Sequence, residues 1–280
     1  MTDPRVPLPT AAEREVADLL PIEASPDAAH AVLDAVPFWF HTFALNRAEG
    51  LYTPGAARDH RYRIPSLPES FEGRSVLDVG TFDGFYAFFA ESRRARRVVA
   101  IDNEQYRLWV KARWGIELRG AEGFRAIHEL LDSRVEYWKL DAFELDQLEE
   151  RFDFIYCFGI LHRVENPLGL LGAIREQLAP SGQVLIETYG SAEPEDGAMV
   201  RVYRPGEVYA GDEYVYWGFT RSGLAHLAAL AGYQGSSVLD TPIIDGHPRI
   251  IATLHAPEAG EDVPPAGADS RKGNIEVPAR

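Results

Sequence analysis

Asp78 and Asp102 each close a short apolar run, and a glycine turn lies between them. In Ser75-Val-Leu-Asp-Val-Gly-Thr-Phe-Asp-Gly-Phe-Tyr86, the residues Val76, Leu77 and Val79 suit a buried parallel strand. Gly80 and Gly84 bracket the turn, where a missing Cβ lets the backbone pass close to a ligand. Helical spacing then starts at Phe85, Phe88 and Phe89. Arg97-Val-Val-Ala-Ile-Asp102 is a second apolar run, and its acid comes 24 positions after Asp78. An acid about 20 residues past a glycine turn, at the tip of the second strand, suits the paired hydroxyls of an adenosine ribose. Phe82 stands where the dinucleotide fingerprint G-x-G-x-x-G has its middle glycine. A pyrophosphate needs the closest backbone approach at that point. The departure favours a cofactor that presents an amino acid to the turn, and S-adenosyl-L-methionine is such a cofactor.

Transfer from a sulfonium asks mainly that the acceptor be held in line with the methyl. A hydroxyl acceptor also needs a general base. His162, in Phe158-Gly-Ile-Leu-His-Arg-Val-Glu-Asn-Pro167, is one candidate, with an ordinary pKa suited to the task. Its alternative role is to buttress the loop before Asn166-Pro167. Glu187, near the end of Gln183-Val-Leu-Ile-Glu-Thr188, is the second candidate, with a loop amide as its alternative partner. His41 sits among aromatics in Phe38-Trp-Phe-His-Thr-Phe43 and either reaches a substrate or packs in a core. Asp141, Glu187 and His162 could converge on a divalent ion, but no adjacent acid pair follows the runs that hold them, and no metal is expected. Cys157 is the only cysteine, which excludes an intrachain disulfide and a thiolate zinc cluster.

The elements that must position these groups follow in order. Further strands are expected over Val135–Leu140, Phe152–Cys157 and Gln183–Thr188, and helical segments alternate with them. That alternation indicates a doubly wound α/β sheet. Residues 220–231 read as a helix with Thr220 as N-cap and Gly232 as the stop. Ser236–Leu239 and Arg249–His255 supply two last strands, completing seven. Residues 1–70 hold helical patterns at Ala11–Leu20 and Pro26–Ala35 and then the aromatic segment, and are expected to cap the site. Residues 71–256 form the binding domain, interrupted by an insert at 189–219. The insert holds Tyr189, Tyr203, Tyr209, Tyr214, Tyr216 and Trp217, which either fill a seam or wall a small-molecule pocket. Glu193, Glu195 and Asp196 give its first half a solvated character. Residues 257–280, with Pro264-Pro-Ala-Gly-Ala268, read as a disordered tail.

The series Leu-Asp-Val-Gly, Val-Ala-Ile-Asp, Leu-Asp-Ala-Phe and Phe-Gly-Ile-Leu-His, over roughly residues 70 to 256, resembles a class I S-adenosylmethionine-dependent methyltransferase. Phe38-Trp-Phe-His-Thr-Phe43, Tyr52-Thr-Pro-Gly55 and the form of the glycine turn resemble the tRNA uridine-5-oxyacetic acid (mo5U34) methyltransferase-like subgroup. The resemblance implies a Rossmann-like sheet, mostly parallel with its last strand antiparallel. It implies cofactor contacts from Gly80, Thr81, Asp83, Asp102, Asn103, Asp141, Ala142, Phe143 and Phe158. Asp83 would meet the cofactor's ammonium, Asp141 and Ala142 the adenine, and Phe143 and Phe158 would border the base. His41, Tyr189, Tyr214 and Tyr216 would face the substrate. Three uses of the cofactor stay open: methylation of a small molecule, modification of a tRNA wobble uridine, and transfer of a carboxymethyl group or cyclisation of the aminobutyrate arm.

Charge separates these readings. The chain has a formal net charge of −15, whereas a tRNA-binding face needs a basic stripe. The one dense basic cluster, Arg93-Arg94-Ala-Arg96-Arg97, should lie on the face opposite the cofactor. A small-molecule substrate is therefore expected over nucleic acid. No apolar run approaches the roughly 20 residues of a membrane helix, no secretion signal opens the chain, and a cytoplasmic location follows. A homodimer stays open.

Overall fold

The expected apolar runs pair into one sheet. The structure is a computed structural model, and it describes residues 8–191, 197–209 and 212–257. Residues 258–280, read from sequence as tail, and Glu193, Glu195 and Asp196 of the insert lie outside the described residues. In chain order the strands are β1 (Ser75–Val79), β2 (Arg97–Asp102), β3 (Glu136–Lys139), β4 (Phe152–Phe158), β5 (Leu178–Tyr189), β6 (Gly235–Asp240) and β7 (His247–His255). Their spatial order is β6-β7-β5-β4-β1-β2-β3. The pairings from β5 across to β3 are parallel, and β7 runs antiparallel to both β5 and β6. A two-residue strand, Ile243–Ile244, pairs onto β7. The chain order reverses between β1 and β4, and that switch point places ligands outside the carboxyl ends of the strands.

Eight helices are described: α1 (Ala11–Ala17), α2 (Pro26–Ala35), α3 (His60–Arg63), α4 (Phe85–Ser92), α5 (Tyr106–Trp114), α6 (Glu122–Leu131), α7 (Pro167–Glu176) and α8 (Arg221–Leu230). Their starts follow local chemistry. Ser25 accepts from the Ala28 amide, Asn166 from Gly169 and Thr220 from Gly223, and Pro26 and Pro167 occupy first helical positions.

Alternation along the strands splits the interior into two layers. Val76, Ala100, Phe154, Tyr156 and Leu185 face one side, under Phe85, Phe88, Phe124 and the N-terminal residues Trp39 and Phe43. Leu77, Val99, Ile155, Cys157 and Ile186 face the other, against Leu170, Leu171 and Ile174 of α7 and Leu224 and Ala228 of α8. The N-terminal segment, which includes a small hairpin of Ala44–Asn46 and Leu51–Tyr52, therefore packs on the α4 side of the sheet. Within the insert, Val200–Val202 pairs antiparallel with Trp217–Phe219. Tyr189, Tyr203 and Val215 form a separate apolar cluster beside that pair. Among the described residues no helix is long and apolar enough to cross a membrane.

Candidate active site

Two groups of buried polar residues lie at the carboxyl ends of the strands. One surrounds the turn between β1 and α4. Gly80 has φ +77°, and a Cβ there would strike the Ile160 side chain, so packing as well as ligand access demands glycine. The amides of Gly80 and Thr81 both donate to the carbonyl of Ile101, which ties the turn to β2. Thr81 differs from the expected cofactor contact. Its hydroxyl is buried and donates to Asp78 Oδ2 at 2.7 Å, bracing the turn from inside.

Asp102, at the tip of β2, accepts the amides of Phe82 (3.0 Å) and Glu104 (2.6 Å). A carboxylate has about four acceptor positions, so two remain for the ribose hydroxyls expected there. Burial pushes the carboxyl groups of Asp78 and Asp102 up to about 6. Asp78 accepts from a hydroxyl and Asp102 from two backbone amides, with no salt bridge to a cation among the described residues. A cofactor that carries a sulfonium, an ammonium and two ribose hydroxyls supplies what this pair lacks, so these residues fit S-adenosyl-L-methionine. Asn103 donates to Asp141 Oδ2 at 2.8 Å, bringing the tips of β2 and β3 together, and Asp141 Oδ1 accepts the Phe143 amide. Phe143 is exposed beside them, and Ala142 packs into the layer beneath.

Two more expected cofactor residues point elsewhere. The carboxylate of Asp83 accepts the amides of Phe40 (2.8 Å) and His41 (2.9 Å) and pairs with the His41 ring. It latches the N-terminal segment to the turn, and it takes His41 with it: that ring is buried in the core and is no free substrate contact. Beside the latch, Phe82 lies between Phe40 (4.8 Å between centroids) and Tyr106 (3.9 Å), both nearly parallel to it. Phe158 is the second. It packs under the Arg63 guanidinium at 4.9 Å and against Tyr86 and Tyr156, in the layer opposite Ala142. It does not join Phe143 around an adenine.

The second group covers the ends of β4 and β5. Glu187 is completely buried and clasped by two guanidiniums, Arg63 Nη2 at 2.6 Å and Arg249 Nε. Burial alone would raise its pKa, but Arg249 and then Arg63 outweigh it and hold the carboxyl well below the usual range. A carboxylate so strongly held does not take a proton from an acceptor, which corrects the reading of Glu187 as a base. Arg63 also binds Asp59 at 2.5 Å, and Arg249 donates to the Tyr209 hydroxyl at 3.0 Å.

His162 follows β4 in a short 3-10 turn, Leu161–Arg163. It is fully buried, and burial, then Arg249 and Arg163, hold its pKa well below the ordinary value. Its Nδ1 accepts the Tyr189 amide at 3.2 Å, which places the remaining proton on Nε2. Its carbonyl accepts the Tyr216 amide. With its lone pair spent on the backbone of β5, His162 takes the buttressing alternative and not the catalytic one.

Tyr189 is buried too, with its hydroxyl 3.2 Å from His247 Nδ1. It packs on Tyr203 and Tyr209 as part of a seam. Tyr214 and Tyr216 are half-exposed at the edge of the insert. That edge is fixed by the Arg163–Asp212 pair (2.8 Å) and by the Trp217 indole donating to the Val164 carbonyl at 2.7 Å. Among the described residues, no three His, Cys, Asp or Glu side chains gather as metal ligands. Asp141, Glu187 and His162 each have the separate partners given above.

Sequence reading missed His60 and Arg63. Both are buried, and they lie one turn apart in α3, a four-residue helix. Their spacing in Asp59-His-Arg-Tyr-Arg63 was the available signal, since i and i+3 share a face.

A family model described as a methyltransferase domain matches residues 52–238. A tRNA U34 carboxymethyltransferase of Klebsiella pneumoniae is 31% identical over 156 residues, which is 55% of this chain and 41% of that protein. The protein of the same name from Sulfurimonas denitrificans is 23% identical over 183 residues, 65% of this chain and 56% of its own length. The chain thus spans about half the length of these curated relatives. Among solved structures, the N-terminal domain of EvdMO1 with SAH bound shares the fold. The TM-score is 0.53 at 20% identity, covering 91% of this chain and 98% of that one.

Proposed function

The chain belongs to the family of S-adenosyl-L-methionine-dependent methyltransferases, and from that premise we propose that it methylates a hydroxyl group of a small molecule. The observation that carries this reading is the covered face over β4 and β5. There Arg63 of α3 and Tyr209 of the insert close over a buried cluster whose charges are already balanced, Arg63 and Arg249 against Glu187 and Asp59. A covered, charge-balanced face leaves no free cation among its described residues for a phosphate backbone and is compatible with a compact uncharged acceptor. The basic cluster supports the same reading. Arg94 pairs with Glu72, Arg96 with Asp153, and Arg97 with Glu136 and Glu150, and β2 begins at Arg97, so the cluster sits at the amino ends of the strands. On this reading residues 1–70 act as a substrate-side cap, the aromatic edge at Tyr214 and Tyr216 borders the acceptor, and the enzyme works in the cytoplasm.

When bound, the cofactor supplies an activated methyl group on sulfur. The chain's own residues hold it and shape the acceptor site: Asp102 receives hydroxyls, Asp78 adds negative charge beneath the turn, and Asp141 and Asn103 border the outer rim.

A second reading, tRNA wobble-uridine modification, is favoured by the curated relatives named tRNA U34 carboxymethyltransferase. One experiment separates the two. The full chain is incubated with S-adenosyl-L-methionine alone, with a metabolite extract, and with bulk tRNA, and the products are identified by mass spectrometry. A small compound heavier by one methyl group is expected. A modified nucleoside in the tRNA sample, with none in the extract, would establish the second reading instead.

A further inference from the structure

His60 is the buried histidine without an assigned task. Its Nδ1 lies 2.8 Å from the Tyr86 hydroxyl, while its Nε2 is buried with no hydrogen-bond partner. A buried polar atom left unpaired in this way is rare and points to a missing group. Its place in the fold says where that group belongs. One turn along α3, Arg63 lies over Phe158 and binds Glu187, so the face of α3 that carries His60 covers the carboxyl ends of β4 and β5. Asp59 Oδ1, Arg63 Nε and Tyr156 OH nearby, together with Thr42 Oγ1 and the Nε2 of His162, are also buried without a partner. Tyr86 is the hub, with the rings of His60, Phe158 and Tyr156 at 5.4, 4.6 and 6.1 Å from it.

We propose that His60 is the general base of the transfer, taking the proton of an acceptor hydroxyl on Nε2 while the Tyr86 hydroxyl holds Nδ1. The assignment rests on the methyltransferase reading above. The O–H bond of the acceptor breaks and its proton passes to Nε2. The acceptor oxygen bonds to the methyl carbon, whose bond to sulfur breaks and leaves its electron pair on sulfur. His162 cannot serve in this way, because its lone pair is spent on the Tyr189 amide.

The surroundings keep His60 unprotonated. The ring is faced by His41, itself paired with Asp83, from the N-terminal segment, by Tyr86 from α4, and by Arg58, Asp59 and Arg63 from its own stretch of chain. Burial, then His41 and Arg63, disfavour the imidazolium. The neutral ring therefore keeps its lone pair free throughout the neutral range, at the cost of a weaker base, and the transfer rate should fall only in acid.

The test uses the full chain labelled with nitrogen-15 histidine and saturated with S-adenosylhomocysteine at neutral pH. We expect His60, assigned by comparison with His60→Gln, to carry its proton on Nδ1 and to leave Nε2 as a lone pair. In the same sample His162 should carry its proton on Nε2. In the metabolite-extract assay His60→Gln should slow product formation by about 10²–10⁴, with S-adenosylhomocysteine affinity unchanged. A proton on Nε2 of His60, or a His60→Gln enzyme with the wild-type rate, overturns the proposal. If His60→Gln does not fold, the His60 ring is assigned in the wild-type chain by through-bond correlation to its own backbone, and its proton position decides. A wild-type chain that binds no S-adenosylhomocysteine sinks the methyltransferase reading itself, a separate failure visible before any variant is made.

Discussion

Buried carboxylates behave in opposite ways on the two sides of the switch point. Asp78 and Asp102, around the glycine turn, are 3% and 7% exposed, and Glu187, over β4 and β5, is 0% exposed. Burial opposes ionisation in all three. Around the turn it wins, and the two aspartates are pushed up to about 6. Over β5 it loses to Arg249 and Arg63, and Glu187 stays ionised. The difference separates binding from architecture. A carboxylate with no cation of its own is poised for a ligand that brings one, and a carboxylate already clasped by two guanidiniums holds the fold together.

The largest effect should come from breaking the clasp. Glu187→Ala leaves two guanidiniums buried without their shared partner, and removing one member of a buried ion pair costs about 3–5 kcal/mol. Denaturant unfolding should show a loss of that size, or no folded protein at all. A loss under about 1 kcal/mol, typical of an exposed pair, would mean that the clasp is ornamental and the contrast false.

Next in size is the opposite result on the other side. Asp102→Asn should weaken S-adenosylhomocysteine binding roughly tenfold to hundredfold, the worth of one charge-assisted hydrogen bond at about 1.5–3 kcal/mol. The free protein should lose little stability, because burial already opposes the charge on Asp102. Calorimetry and unfolding on the same preparation read both quantities. An Asp102→Asn chain that unfolds easily but binds normally would put Asp102 in the same class as Glu187.

These two sides were not equally legible in the sequence. The strand, glycine turn and second strand that hold Asp78, Gly80 and Asp102 are contiguous, so each local signal supports the next. The order of the seven strands and the Thr220 cap were readable for the same reason. The acceptor side is assembled from distant pieces: Arg63 reaches Glu187 across 124 positions, and Arg249 joins from the last strand. Nothing local in the strand that ends at Thr188 signals that its glutamate is matched by two arginines. His162 misled because its type and place suited a base, and only the Tyr189 amide on Nδ1 shows that the lone pair is taken. Phe158 misled because alternation in β4 decides which layer it faces, and a motif match does not record the layer.

A smaller effect follows from pH. The folded-state pKa values of Asp78 and Asp102, about 6, exceed the ordinary 3.8. The stability these groups contribute is thus fully present below about pH 4 and is lost as pH rises through about 6. A bound cation with hydroxyl donors favours their ionised form and returns part of that loss. S-adenosylhomocysteine, with its ammonium, should therefore raise the melting temperature more at neutral pH than at pH values below about 5. His60 and His162 shift the other way, since their depressed values remove stability as pH falls below about 6.5. Comparing liganded with free protein at each pH cancels any contribution the ligand leaves unchanged. A ligand-induced shift that does not vary with pH would show that neither aspartate meets the cofactor.

The smallest expected effect is none. If the charge-balanced acceptor side serves a small molecule, bulk tRNA at physiological salt should not bind. Phosphate contacts need cations that are free to replace counterions, and each contact steepens the salt dependence. Arg94, Arg96 and Arg97 of the dense cluster are already paired with Glu72, Asp153, Glu136 and Glu150. Arg63 and Arg249 are buried against Glu187, and a net charge of −15 repels a polyanion at longer range. A mobility shift that appears at low salt and fades with a shallow slope would be nonspecific attraction and would leave the comparison intact. A shift that persists at physiological salt with a steep slope would require a basic face, and the acceptor would then have to be sought in RNA.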